Sequence, residues 1–175
     1  MPATVELFKK YPNPIFIETG SWYGHGIQQA IDAGFNGIYS IELSQMHYKI
    51  CLERFKNNAN VHLILGDSHL VMDALLAKID QPVTFWLDGH YSEGDTAMGK
   101  YESPLLQELE AIKRHKIKTH TIIIDDLRCW SKEIHGFDTD VLIKEMLGIN
   151  KQYVFIWENG HIEKDILVAT IKTEC

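Results

Sequence analysis

Residues 14–30, Pro-Ile-Phe-Ile-Glu-Thr-Gly-Ser-Trp-Tyr-Gly-His-Gly-Ile-Gln-Gln-Ala, constrain the fold of this chain more than any other stretch. The apolar run Ile15–Ile17 has the length of a short buried strand. Glu18 follows it, then Gly20, Gly24 and Gly26, then Ile27, Ala30 and Ile31 at helical spacing. The pattern predicts a strand, a tight glycine turn and a helix. A turn without Cβ atoms lets the backbone approach a ligand closely. The helix N-terminus behind it offers unpaired N–H groups to an anionic group. Glycines also collect in α/β turns for structural reasons alone, so the rest of the chain has to decide what this turn holds.

The same alternation of elements continues downstream. Residues 3–11 predict a short helix, stopped by Pro12 and Pro14. The helix after the glycine turn ends near Gly34. Gly37–Leu43 predicts a second strand ending on Glu42, with Ser44 as N-cap of a helix to about Asn57. Val61–Leu65 predicts a third strand, and the helix behind Gly66-Asp67-Ser68 is expected to bury Leu70, Val71, Ala74 and Leu75. Val83–Leu87 is a fourth strand that stops at Asp88-Gly89-His90, followed by a long polar loop to Tyr101. Ser103-Pro104 opens a helix with Leu105, Leu106, Leu109 and Ile112 as its apolar stripe. His120–Ile124 is a fifth strand ending in Asp125-Asp126; 127–137 reads as loop and Asp138–Leu147 as helix. Tyr153–Trp157 and Ile166–Ile171 flank Glu158-Asn159-Gly160, a hairpin signal with no helix between the strands.

Composition narrows the class. With 175 residues, a single domain over 1–175 is expected. A formal charge of −7 argues against a nucleic-acid partner, because phosphate contacts need clustered Lys and Arg. The one basic cluster, Lys113-Arg114-His115-Lys116, suits a helix C-terminus. There is no apolar run of about 18 residues for a membrane span and no signal-peptide pattern at Met1, so a cytoplasmic protein without a membrane partner is expected. Cys51, Cys129 and Cys175 have no pairing or metal-binding pattern.

In open α/β sheets ligands bind at the carboxyl ends of the strands. Those ends read Glu18/Gly20, Glu42, Gly66-Asp67-Ser68, Asp88/His90 and Asp125-Asp126. Caps and turns explain one such end; a full row of acids and glycines asks for a ligand. Glu42 stands where a carboxylate accepts the ribose hydroxyls of an adenosyl cofactor, whether a dinucleotide or a sulfonium. Asp67 and Ser68 can cap the next helix as well as touch a ligand.

Glu-x-Gly-x-x-x-Gly, with Gly20 and Gly24, resembles the first motif of class I S-adenosylmethionine-dependent methyltransferases. It is closest to the catechol-type and macrolide-sugar metal-dependent O-methyltransferases, although Trp22 stands where that motif commonly has glycine. Five β-α units followed by a β-hairpin is also that family's element order. The resemblance implies a Rossmann-like, mostly parallel seven-stranded sheet with a C-terminal antiparallel hairpin and helices on both faces. It implies S-adenosylmethionine as cofactor, bound by Glu18, Gly20, Ser21, Gly24, Glu42, Asp67, Ser68 and Asp88. Leu87-Asp88-Gly89 and Ile124-Asp125-Asp126 match the family's metal ligands, with Asp126 for its Asn. An all-carboxylate set suits Mg²⁺, Mn²⁺ or Ca²⁺.

The family's frequent base is a lysine three residues after the first metal ligand, where this chain has Tyr91. His90, with Asp88, is the catalytic candidate in its place, having a suitable intrinsic pKa; His25 and His135 are weaker ones. Trp22 can wall the cofactor. The expected acceptor is a hydroxyl on a small molecule or sugar, and the expected state a monomer or homodimer. A metal-dependent hydrolase on a related sheet and a non-catalytic cofactor-binding module are the competing readings.

Overall fold

The computed structural model describes residues 3–88 and 103–172. Seven strands form one sheet: β1 (Ile15–Thr19), β2 (Gly37–Glu42), β3 (Val61–Leu65), β4 (Val83–Leu87), β5 (Thr121–Ile124), β6 (Tyr153–Glu158) and β7 (Ile166–Ile171). Their order is β3-β2-β1-β4-β5-β7-β6. β1 to β5 pair in parallel, and β7 enters antiparallel between β5 and β6. The predicted Rossmann-like arrangement with a C-terminal antiparallel hairpin is therefore the one observed. Strand order reverses between β1 and β4, so a crevice opens at their carboxyl ends, where Glu18-Thr19-Gly20 and Asp88 emerge.

Helices cover both faces because the central strands carry apolar side chains to both. Phe16, Ile38, Trp86, Ile123 and Val168 point to one side, against α1 (Val5–Lys10), α2 (His25–Ala33) and α3 (Gln45–Arg54). Ile17, Ile41, Phe85, Leu87, Ile122 and Ile124 point to the other, against α4 (Ser68–Leu76), α5 (Leu105–Arg114) and α7 (Thr139–Ile149). Each fully buried isoleucine of β5 contributes about 1.5–3 kcal/mol relative to exposure. Lys113 and Arg114 end α5, as their charge suits. Among the described residues no helix is long and apolar enough to cross a membrane.

Two local expectations are corrected. α4 leaves Leu70 70% exposed and turns Ser68, Met72, Leu75 and Leu76 inward. Both stripes have helical period, and packing on α5 chose the one holding Met72. Residues 127–137 are not all loop: Leu127–Cys129 is a 3-10 turn and α6 (Lys132–His135) a single helical turn. The hairpin signalled at Asn159-Gly160 forms, with β6 and β7 antiparallel and joined by a connection over 159–165. There Asn159 Oδ1 accepts the Lys164 N–H at 3.1 Å, with Lys164 at φ 59°.

At the sheet's amino edge two buried histidines form a relay whose protons are fixed by their partners. The Val83 N–H donates to His120 Nδ1 at 3.1 Å. His120 therefore carries its proton on Nε2 and donates to His115 Nδ1 at 2.9 Å; His115 Nε2 donates to the Ile79 carbonyl at 3.0 Å. Both rings are neutral. Burial, with His115 adding to it, pushes His120 down to about 3. The unfolded chain then binds a proton near pH 6.5 that the folded chain refuses until about pH 3. Stability from this group is complete above pH 6.5 and falls as pH drops, by roughly 1.4 kcal/mol per pH unit. His120→Asn, which keeps an acceptor for Val83, is expected to flatten the urea-measured stability slope between pH 7 and 5 by about that amount. Equal slopes in both proteins would contradict the relay.

Candidate functional site

The turn after β1 is built around a buried carboxylate. Glu18, 1% exposed, accepts the Ser40 Oγ hydrogen bond at 2.6 Å, and Ser40 Oγ lies 2.5 Å from Ser21 Oγ. A Cβ on Gly26 would stand 2.0 Å from Glu18 Oε2, so only glycine lets α2 come this close to the acid. Burial raises Glu18 to about 8 against the Ser40 bond, and Asp88 and Glu42 push it further. Glu18 and the Ser21 hydroxyl thus sit behind the turn and support it. Gly20 at φ 85°, Trp22 at φ 45° and Gly24 at φ 81° adopt the left-handed conformation, and a Cβ on Gly24 would stand 2.4 Å from the buried Phe55 ring. Trp22 is 42% exposed, with its ring edge-to-face against Tyr23 at 4.8 Å.

Glu42 closes the turn from β2. Its Oε2 accepts the Trp22 N–H at 2.9 Å and its Oε1 the Ser44 N–H at 2.6 Å. A carboxylate offers about four acceptor sites, so two backbone donors leave capacity for a ligand's hydroxyls. The next strand end brings Asp67 and Ser68. Asp67 is the N-cap of α4 by position but does not cap with its side chain; its Oδ1 pairs with His69 Nδ1 at 2.7 Å. Ser68 Oγ donates to Glu108 Oε1 at 2.5 Å.

Glu108 is the residue that sequence reasoning missed. It is 1% exposed on α5, and burial raises it to about 7 against the Ser68 bond, with Asp67 and Asp88 adding to the rise. The signal was present: Leu105, Glu108, Leu109 and Ile112 share one helical face, so a glutamate stood within an apolar stripe.

Asp88, Asp125 and Asp126 come together as the sequence suggested. One carboxylate oxygen from each lies within 4.8 Å of the others. Asp125 is 1% exposed; burial, then Asp88 and Asp126, raise it to about 8. Its Oδ1 accepts the Asp126 N–H at 2.7 Å, and its backbone carbonyl accepts Trp130 Nε1–H at 3.0 Å. Asp126, at φ 57°, also pairs with Arg128 Nη1 at 2.5 Å. His90 lies outside the described residues. His25 Nε2 bonds the Ala3 carbonyl at 3.2 Å, and His135 packs on Trp130 at 4.9 Å. The result is a strand-end edge beside the glycine turn, where acids from β2, β3, β4, β5 and α5 gather and Glu18 of β1 lies buried behind the turn. Such an edge attracts cationic ligands and repels anionic ones.

No protein-family model and no curated protein sequence matches this chain. Solved structures do. The O-methyltransferase from Bacillus cereus in complex with S-adenosylhomocysteine aligns with a TM-score of 0.66 at 12% identity, over 96% of this chain and 78% of its own. The O-methyltransferase TomG from Streptomyces achromogenes, in complex with S-adenosylmethionine, aligns with a TM-score of 0.65 at 10% identity, over 97% and 78%. An rRNA methylase from Streptococcus thermophilus aligns with a TM-score of 0.55 at 12% identity, over 96% and 94%. This chain has the class I methyltransferase fold. At 10–12% identity, the fold is what these chains share; acceptor chemistry differs among them by their own descriptions.

Proposed function

We propose that this protein is an S-adenosylmethionine-dependent methyltransferase that methylates a hydroxyl of a small molecule or sugar with the help of a divalent cation. One observation carries the reading. The glycine turn stands at the switch point of a methyltransferase-type sheet, beside a Glu42 carboxylate anchored on two backbone N–H groups and still able to accept. When bound, S-adenosylmethionine supplies an electrophilic methyl group on a positively charged sulfonium.

The backbone at Gly20 and Gly24 would give the cofactor a surface to lie against, and Glu42 would accept its ribose hydroxyls. Asp67 and Ser68 would meet its adenine. Asp88 would put negative potential beside a cationic centre at the end of β4, while Glu18, raised to about 8 by burial, supports the turn mainly as a neutral acid. Most of the rate then comes from holding acceptor and methyl group in line.

The donor set suits a hard cation. Three carboxylates offer only oxygen, and the raised pKa of Asp125 reflects burial first and then repulsion from Asp88 and Asp126, which a cation would relieve. Asp88, Asp125 and Asp126 would hold it, and its chemistry there is to lower the pKa of an acceptor hydroxyl. His90 is assigned the proton on its sequence position. A small acceptor is favoured over nucleic acid because the net charge of −7 opposes a phosphate backbone. Calorimetry with S-adenosylhomocysteine, followed by methyl transfer to a panel of diols and sugars with Mg²⁺ or EDTA, tests the reading. Cofactor binding without turnover on any acceptor points to a binding module; hydrolysis without cofactor binding points to a hydrolase.

A further inference from the structure

Arg128 follows Asp126 by two residues, in the 3-10 turn after β5. Its Nη1 stands 2.5 Å from Asp126 Oδ1 and is also ion-paired to Asp165 Oδ2. Asp165 ends the β6–β7 connection with no side-chain exposure. The Arg128 N–H donates to its Oδ1 and the His161 N–H to its Oδ2, both at 3.1 Å. The guanidinium is thus tethered to the hairpin while it reaches one corner of the carboxylate cluster. Its side chain keeps 32% of its exposure, which leaves room to turn away.

We propose that Arg128 is a built-in competitor for the divalent cation, holding Asp126 when the cation is absent and keeping cation affinity low. The inference rests on the cation reading given above. A guanidinium and a divalent cation at one carboxylate repel each other, and a partly buried pair is screened less than one in open solvent. Arginine cannot shed its proton to relieve this. A cation must therefore share Asp126 at a cost or send Arg128 back to Asp165 alone. The second course couples the cation to the β6–β7 hairpin, on the side of the sheet away from the cofactor turn.

The test is Mn²⁺ calorimetry on the full chain. Arg128→Gln alone would strand the buried Asp165 charge, so the informative variant is Arg128→Gln/Asp165→Asn, which removes the pair without changing net charge. It is expected to bind Mn²⁺ at least tenfold more tightly than the parent. Lys132→Gln deletes a nearby cation that pairs with Asp138 at 2.9 Å instead, and is expected to stay within twofold. Parent-like or weaker affinity in the double variant overturns the proposal, as does equal tightening in Lys132→Gln. Folded proteins that give no Mn²⁺ heat in any form overturn the cation reading itself.

Discussion

Glu42→Ala is expected to lower S-adenosylhomocysteine affinity at least a hundredfold, about 2.7 kcal/mol. Hydrogen bonds to a charged acceptor contribute roughly 1.5–3 kcal/mol each, and a ribose diol would make two. The substitution also leaves the Trp22 and Ser44 N–H groups without their acceptor, so it loosens the turn as well. Affinity alone would not separate these causes. The 2′-deoxy analogue of S-adenosylhomocysteine does. The parent should lose affinity for it by at least tenfold, whereas Glu42→Ala, having no carboxylate to miss the hydroxyl, should bind both ligands alike. If the variant discriminates between them as strongly as the parent, Glu42 supports the turn but does not read the ribose.

Much of this site was legible because four of the five parallel strands are apolar runs that lead straight into an acid. Ile17-Glu18, Ile41-Glu42, Leu87-Asp88 and Ile124-Asp125 mark where the apolar run stops and the chemistry starts. A parallel α/β order then puts all those ends on one edge, so Asp88 and Asp125 could be brought together from 37 positions apart. What stayed hidden were pairings that no local pattern encodes. Glu108 looks like an intrusion in a leucine stripe until Ser68 is found against it, 40 positions away. Asp165 looks like a turn residue until Arg128 is found on it. Leu70 shows a further limit: two helical faces of α4 were apolar enough to bury, and only the neighbouring α5 decided between them. Glu18 and Ser21 were placed at the right turn, but which side of it they face depends on Ser40 in the next strand.

Asp125→Asn is expected to stabilise the protein in EDTA while abolishing cation binding and methyl transfer. The carboxyl of Asp125 is buried beside two other acids and raised to about 8 from an ordinary 3.8. Between those values the folded chain holds a proton that the unfolded chain has released, so stability from this group falls as pH rises through that window. Asparagine removes the cost and keeps an oxygen for the Asp126 N–H. At pH 8 the gain should be on the order of 2 kcal/mol, or roughly 4–8 °C in Tm for a chain of this size. Saturating Mn²⁺ reverses the ranking. It should stabilise the parent by about 2.7 kcal/mol at a hundred times Kd and leave Asp125→Asn unmoved. Methyl transfer should fall at least a hundredfold, with S-adenosylhomocysteine affinity kept within a few fold, because cofactor and cation share the crevice but draw mainly on different strand ends. A purely structural aspartate predicts the opposite sign in EDTA, a loss of Tm and no response to Mn²⁺ in either protein. That pair of results would remove the carboxylate cluster from the reaction and leave a methyltransferase fold working without a cation.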